Sequence, residues 1–326
     1  MVSVLIITWK RAALLQKCLD SLLPWARETE LEVRVILNGE DKNSAEILRR
    51  MCDQHGWITW KEIPPCAPGK ARNLGLAGLK GEWVYFLDDD AQVPPGYWQK
   101  FLAARAQLQN ADVIGGPDAM APESGRLAQA VAMTLSSPFC MGPTATRHKS
   151  TNGTPFMANE SVLTSCNLWV LRRHIAGGVQ FPEDYQRAEE TVFLQDLENM
   201  GAELWHVPNL YVWHARRDSW QVLTRTSFNS GFFRSLVSKE RKQSPWWVWL
   251  PALFVVLHFL PLVTPTVTLP LIFWWAFPVM AQSWLLCVRA RSPELWPLVV
   301  ALHWLIPFSY GAGFIWQRLG GGPWQK

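Results

Sequence analysis

The sequence predicts an α/β protein: a Rossmann-like, mostly parallel, doubly wound sheet domain followed by C-terminal transmembrane helices. Three observations predict it. Strand-like and helix-like stretches alternate through the first part of the chain, an apolar strand ends in the triplet Asp88, Asp89 and Asp90, and charge almost disappears toward the C-terminus. From Pro245 to Trp316 the only charged residues are Arg289, Arg291 and Glu294. At 326 residues and 49% hydrophobic composition the chain is long enough for one large domain and an appendage, with the composition boundary near Gln243.

The elements follow in order. VSVLIIT is an apolar, β-branched run and reads as the first strand; Ala12 to Leu23 reads as a helix with Leu14, Leu15, Cys18, Leu19 and Leu22 on one face. LEVRVILNG is a strand ending in a turn, Ser44 to His55 a helix, ITWKEI a strand, Gly69 to Leu79 a helix, and EWVYFLDD a strand. This alternation predicts a parallel sheet, in which ligands bind outside the carboxyl ends of the strands.

The aspartate triplet stands at such an end. Three adjacent anions repel one another unless they are well hydrated or share a cation, so the triplet is either a solvated turn or a metal site. The strand before it and PPG after it favour the metal. Oxygen ligands suit a hard cation, Mg²⁺ or Mn²⁺, shared with substrate phosphates, which points to a nucleotide diphosphate.

Between Ala128 and Ser161 the stretch SSPFCMGPTATRHKSTNGTPF, with Arg147, His148 and Lys149 inside it, reads as a mobile loop placed to fold over the donor or meet a phosphate-bearing acceptor. SFNSGFFRSLVSKERK reads as an amphipathic juxtamembrane helix, with Phe228, Phe232 and Phe233 toward a membrane surface and Arg234, Lys239, Arg241 and Lys242 toward anionic headgroups.

Three apolar stretches follow, roughly 246–263, 267–288 and 295–316, each near the ~20 residues a bilayer-spanning helix requires. Pro251, Pro261, Pro278 and Pro307 are candidates to kink them or make one re-entrant, giving two to three spans. Lys239, Arg241 and Lys242 precede the first stretch, Arg289 and Arg291 follow the second, and the connection VTPTVT is uncharged. The positive-inside rule therefore places the large domain in the cytoplasm. At the N-terminus the apolar run precedes the basic residues, the reverse of a signal peptide.

The six cysteines form no CxxC pair, which suits a reducing compartment and argues against a zinc or disulfide framework. Many of the 20 tryptophans cluster around the apolar stretches, as indoles do at a membrane interface. A net charge of +4 with no basic helix or aromatic-basic platform gives no case for nucleic acid.

The opening VSVLIITWKRAALLQKCLDSLL, the segment PGKARNLGLAGLKGEWVYFLDDDAQVPPGYW and the later EETVFLQDLENMGAELWHVPNLYVWH together resemble the family 2 glycosyltransferases of GT-A fold, over about residues 2 to 235. AVAMTLSSPFCMG followed by apolar helices is similar to the succinoglycan-type exopolysaccharide enzymes in particular. The resemblance implies a division into a GT-A domain, 1–235, and a membrane part, 236–326. It implies that Asp88 and Asp90 form the DxD motif that holds a divalent cation, with Asp89 addressing the ribose or sugar. Lys70, Arg72 and Asn73 match the basic segment facing the nucleotide and its phosphates, and Thr8 closes the first strand where the family contacts the nucleotide. Leu37 stands where the family commonly has an aspartate; Asn38 and Asp41 are the candidate substitutes, and the donor base stays open.

Glu189 and Glu190 match the family's ED pair, with Glu190 at the position of the catalytic base. Direct displacement at an anomeric carbon inverts it and needs a group to take the acceptor's proton. His214 lies where several relatives place a histidine near the metal. Arg216 and Arg217, with Trp213, are placed to neutralise the departing diphosphate, and Arg234 is carried as a further substrate contact. The implied activity is inverting transfer of a hexosyl group from a nucleotide-sugar donor to a lipid-linked saccharide, at the cytoplasmic face of a bacterial inner membrane, one sugar per encounter because the QxxRW motif of processive synthases is absent. Transfer to polyprenyl phosphate itself, and a catalytically silent scaffold subunit, are the alternatives.

Overall fold

The computed structural model describes residues 1–242, 244–260 and 265–325. Gln243 at the composition boundary, the expected kink at Pro261, the end of the first apolar stretch and the beginning of the VTPTVT connection lie outside them. The strands, numbered in chain order, are β1 (Val2–Thr8), β2 (Leu31–Asn38), β3 (Ile58–Ile63), β4 (Trp83–Leu87), β5 (Ala91–Gln92), β6 (Val113–Gly115), β7 (Asp118–Met120), β8 (Phe156–Met157), β9 (Asn167–Leu171), β10 (Leu204–His206) and β11 (Val212–His214). The first unit, Met1–Ala121 with Thr146–Ala215, holds them all.

Eight strands form one sheet in the order β3-β2-β1-β4-β9-β6-β10-β8. The half read from the sequence, β3 to β4, is parallel, with Thr8 opposite Leu37 and Val2 opposite both Leu31 and Trp83. β9 runs antiparallel to β4 and β6, so the sheet is mixed beyond β4. A second sheet of three short strands, β5-β11-β7, takes up the chain directly after the acidic triplet, at Ala91.

Both faces of the large sheet are covered, which is why its strands read as continuous apolar runs. On one face Val4 and Ile6 pack with Leu15, Cys18 and Leu19 of α1 (Ala12–Leu22) and with α2 (Lys42–Gln54). The same core takes an aromatic cluster in which Trp169 stacks 3.8 Å from Phe101 of α4 (Tyr97–Gln107) and 4.2 Å from Tyr85. On the other face Leu5 and Ile36 meet α3 (Pro68–Leu76) through Ala71 and Leu76.

The second unit comprises Pro122–Ala145 and Arg216–Lys326. The stretch expected as a loop is helical where it enters this unit: α5 (Arg126–Leu135) and α6 (Pro138–Met141) are followed by a 3₁₀ turn over Gly142–His148. Ala130 and Val131 explain the difference, since they form an apolar face that packs with Val299 and Leu302. α7 (Arg172–Ala176) and α8 (Glu189–Asn199) belong to the first unit; α9 (Trp220–Arg241), α10 (Leu250–Phe259), α11 (Pro265–Arg289) and α12 (Trp296–Arg318) complete the second.

α9 and α12 approach closely: a Cβ on Gly231 would stand 1.9 Å from the Tyr310 carbonyl oxygen, and one on Gly313 would stand 2.0 Å from that of Phe228. Phe232, Phe233 and Arg234, expected at a membrane surface, are buried, with the Arg234 guanidinium 5.9 Å from the Trp247 ring centre. Among the described residues one helix, Pro293–Arg318, is long and apolar enough to cross a membrane, and half of its most apolar window is buried. Pro270 and Pro278 lie inside α11 and Pro307 inside α12, while Pro251 sits in the first turn of α10.

Candidate active site

The triplet follows directly on β4, and Asp88, Asp89 and Asp90 diverge there. Asp89 is buried and accepts a 2.7 Å hydrogen bond from the Thr8 hydroxyl at the end of β1. One Arg11 nitrogen bridges Asp89 at 2.9 Å and Asp90 at 2.7 Å. Asp88 is the more open carboxylate and lies 3.5 Å from Arg72.

Arg72, on α3, joins the triplet to the second acidic pair. Its Nη1 donates to Glu189 at 2.5 Å and its Nη2 to the Ser165 hydroxyl at 3.1 Å. Glu189 and Glu190 open α8 after Ala188, which holds a left-handed φ of +62°. That conformation costs a residue with a Cβ roughly 1 kcal/mol and aims the first helical turn at the site. Glu190 is half-buried, with Arg147 at 3.9 Å as its recorded cation. Burial, reinforced by Glu190 and opposed by Arg72, pushes the Glu189 carboxyl up.

His214 closes the site from β11, where it pairs with Ala91. Its Nε2 is 3.0 Å from Asp90 Oδ1 and its Nδ1 3.3 Å from Asp118 Oδ2; the other Asp118 oxygen meets His148 Nδ1 at 2.5 Å. With a carboxylate at each ring nitrogen, the imidazole is satisfied either by carrying two protons or by a cation in place of the Nε2 proton. Donor atoms of Asp88, Cys166 and His214 lie within 4.8 Å of one another.

Five carboxylates, Asp88, Asp89, Asp90, Glu189 and Glu190, thus face the guanidinium groups of Arg11, Arg72 and Arg147, and a sixth, Asp118, faces the imidazoles of His148 and His214. Burial pushes Asp88 up and Asp89 up to about 7, with Arg72 and Arg11 respectively opposing it. A site with such a surplus of buried anions fits a divalent cation, and the donor set can hold one.

The remaining sequence candidates divide. Asn38 clamps the Cys66 backbone through bonds of 2.9 and 3.0 Å, and Asn73 clamps that of Phe181 at 2.8 and 3.0 Å. Asp41 accepts from the Lys10 amide at 2.8 Å and Ser44 at 2.5 Å, and Leu37 is core. Lys70 is exposed beside Glu183 at 3.7 Å. Arg216 and Arg234 fall in the second unit. The loop candidates Arg147 and His148 are tied down, Arg147 by the carbonyls of Glu160 and Ser161.

Sequence reasoning passed over Trp9, Arg11, Asp118, Ser165 and Cys166. Trp9 directly follows β1, its indole lying across Gly39 and partly exposed, with Lys10 Nζ 4.6 Å from the ring. Position after a strand end was available as a signal for Trp9 and Arg11; nothing local marks Asp118 or Cys166.

The model of glycosyl transferase family 2 matches residues 3–176, just over half of the chain. Glycosyltransferase GlyA of Streptococcus pneumoniae is 28% identical over 102 residues, which cover 31% of this chain and only 14% of that protein. Among solved structures, TarS 1–349 of S. aureus in complex with UDP-GlcNAc aligns with a TM-score of 0.52 at 16% identity, over 98% of this chain and 92% of that one. A mannosyltransferase from Pyrobaculum calidifontis, in complex with GDP-Man and Mn²⁺, aligns with a TM-score of 0.58 at 15% identity, over 98% and 88%. At such identities the two structures establish the GT-A-like fold.

Proposed function

The chain belongs to glycosyltransferase family 2, and on that premise we propose that it transfers one hexosyl group, with inversion, from a nucleotide-diphosphate sugar to a membrane-embedded, polyprenyl-diphosphate-linked saccharide during cell-surface polysaccharide synthesis. The observation that carries this reading is the Arg72 bridge, which sets the triplet and the Glu189–Glu190 pair at opposite sides of one guanidinium. A donor diphosphate bound at the triplet would have its sugar toward this acidic pair.

Asp88, Asp90 and His214 would hold Mg²⁺ or Mn²⁺, which when bound would supply charge neutralisation for the donor diphosphate. The chain's own residues do the rest. Thr8 and Arg11 lock Asp89 and Asp90 before substrate arrives, so little reorganisation accompanies binding. Trp9 offers a partly exposed ring on which a nucleobase stacks. Lys70, exposed on α3 beside Glu183, is the cation suited to the donor phosphates.

Glu190 is the base: its carboxylate takes the proton of the acceptor hydroxyl as that oxygen attacks the anomeric carbon and the nucleoside diphosphate departs. Arg72 holds Glu189 and keeps it from competing for that proton. Arg147, 3.9 Å from Glu190, orients the base and is suited to a phosphate on the acceptor.

An acceptor anchored in lipid explains the apolar surface of the second unit, where Trp246 is 75% exposed, Phe277 76% and Leu319 76%. The basic residues flanking the apolar helices support a bacterial inner membrane location with the catalytic domain toward the cytoplasm. The resemblance to succinoglycan-type enzymes supports the same acceptor class.

Product analysis with membranes of an acceptor-accumulating strain tests the reading. A sugar added to a lipid-diphosphate saccharide is expected; a single sugar on a lipid monophosphate would move the protein to the polyprenyl-phosphate class, and nucleotide binding with no product under any acceptor would make it a scaffold.

A further inference from the structure

We propose that Cys166 is a ligand of the metal at this site, so that the ion meets an oxygen, a nitrogen and a sulfur donor and the site favours softer dications such as Co²⁺ and Zn²⁺ over Mg²⁺. The inference rests on the reading above that a dication binds beside Asp88.

The strand register delivers the thiol. β4 and β9 are antiparallel with Leu87 opposite Asn167, so the next step along both chains sets Asp88 opposite Cys166. Asn167 is fixed: it accepts from Tyr85 at 2.9 Å and Tyr97, and donates to the Leu210 carbonyl at 2.7 Å. On the other side Ser165 is bonded to Arg72 at 3.1 Å. Cys166 is therefore held between two anchored neighbours, with little freedom to leave the triplet.

The third donor arrives independently. β11 pairs with β5, and the Ala215 amide donates to the Asp90 carbonyl at 2.9 Å, which places His214 over the triplet. Asp118 holds the Nδ1 side of the ring at 3.3 Å, leaving Nε2 directed at the triplet. A carboxylate behind a ligating imidazole is the usual outer partner of a metal-bound histidine. The ends of three strands thus bring Asp88 oxygen, Cys166 sulfur and His214 nitrogen within 4.8 Å of one another, and an ion with bonds of ~2.0–2.3 Å would draw these side-chain ends inward to reach all three.

Buried free cysteines commonly act as small apolar residues, and Cys18, packed in the core with its Sγ donating to the Asp88 backbone carbonyl at 3.5 Å, fits that role. Cys166 differs in facing a side-chain carboxylate and an imidazole. When the ion binds, the thiol proton passes to solvent and a sulfur–metal bond replaces the sulfur–hydrogen bond. Thiolate raises affinity for borderline ions much more than for Mg²⁺, which prefers oxygen.

The test is titration of the full-length, detergent-solubilised, metal-free protein with Co²⁺ alone, reading the near-ultraviolet thiolate-to-cobalt charge-transfer band, with Mg²⁺ affinity measured by competition. The wild type and Cys52→Ser should show the band. Cys166→Ser should lose it and bind Co²⁺ at least about tenfold more weakly, with Mg²⁺ affinity changed less than about twofold. Co²⁺ binding without the band, or a band that survives Cys166→Ser, would overturn the proposal while leaving the metal reading intact. Failure of Co²⁺, Mn²⁺ and Mg²⁺ alike to bind wild type would overturn both. Circular dichroism of Cys166→Ser, with Cys166→Ala as the second variant, separates loss of a ligand from loss of fold, and absence of the band from Co²⁺-loaded wild type overturns the proposal whatever the variants do.

Discussion

Arg72 Nη1 lies 2.5 Å from Glu189 Oε1, with both side chains buried, while Nη2 of the same guanidinium reaches Asp88 at 3.5 Å. One cation therefore ties the metal-side carboxylate to the acid pair of α8, and removing it leaves the buried Glu189 carboxylate and the more open Asp88 without their shared partner. Arg72→Ala should destabilise the protein by about 3–5 kcal/mol, whereas Glu189→Gln, which keeps a hydrogen-bond acceptor, should cost less. Equilibrium unfolding in urea would measure both, and an Arg72→Ala loss below about 1 kcal/mol would contradict the buried bridge.

Glu190→Gln should lower kcat by about 10²- to 10⁴-fold with nucleotide affinity unchanged, because the amide cannot accept the acceptor's proton. Steady-state kinetics paired with nucleotide titration separates the two quantities. Equal losses in binding and turnover would assign Glu190 to the donor instead.

Trp9→Ala should weaken nucleoside diphosphate binding about tenfold, the equivalent of a stacking interaction of ~1.4 kcal/mol, and leave metal binding unchanged. Calorimetry on the variant reads this directly. Wild-type affinity would remove Trp9 from the base site.

His206 is fully buried on β10, its ring centre 5.1 Å from that of Phe156, with neither ring nitrogen hydrogen-bonded within the described residues; burial lowers it from 6.5 to about 4. The unfolded chain then binds more protons than the native one between those values, so stability falls as pH drops from about 6.5 to 4. His206→Phe should flatten this fall, gaining roughly 3 kcal/mol on wild type over that window. Thermal or urea unfolding at pH 7 and pH 4.5 would show it, and parallel curves would contradict it.

How much of this was legible follows from sequence separation. The strands β1 to β4 and helices α1 to α3 announce themselves through local periodicity and match the structure to within a few residues. The triplet was legible as a candidate site because charge at a strand end is a local pattern. Its supports were not: Arg11 and Asp89 are 78 residues apart, Arg72 and Glu189 are 117 apart, and Cys166 meets Asp88 only through the antiparallel register of β9. An alternating α/β rhythm announces parallel neighbours and gives no warning of an antiparallel insertion. The 128–161 stretch misled for the opposite reason, since its Gly, Pro and Ser content reads as a loop while its small apolar residues find a helical surface to pack on. Asn38 and Asn73, expected as ligand contacts because polar residues at element ends often are, each hydrogen-bond a neighbouring stretch of backbone, at Cys66 and Phe181, which no local pattern announces.

The most direct measurement is calorimetric titration of the detergent-solubilised protein with UDP, GDP, dTDP and CDP, each with and without Mn²⁺, beside an Asp88→Ala, Asp90→Ala double variant. Binding of one nucleotide that requires both the cation and the two aspartates is the predicted result and would name the donor class. Binding of no nucleotide under any metal condition, or binding that the double variant retains in full, would contradict the assignment of the triplet as the donor's metal site.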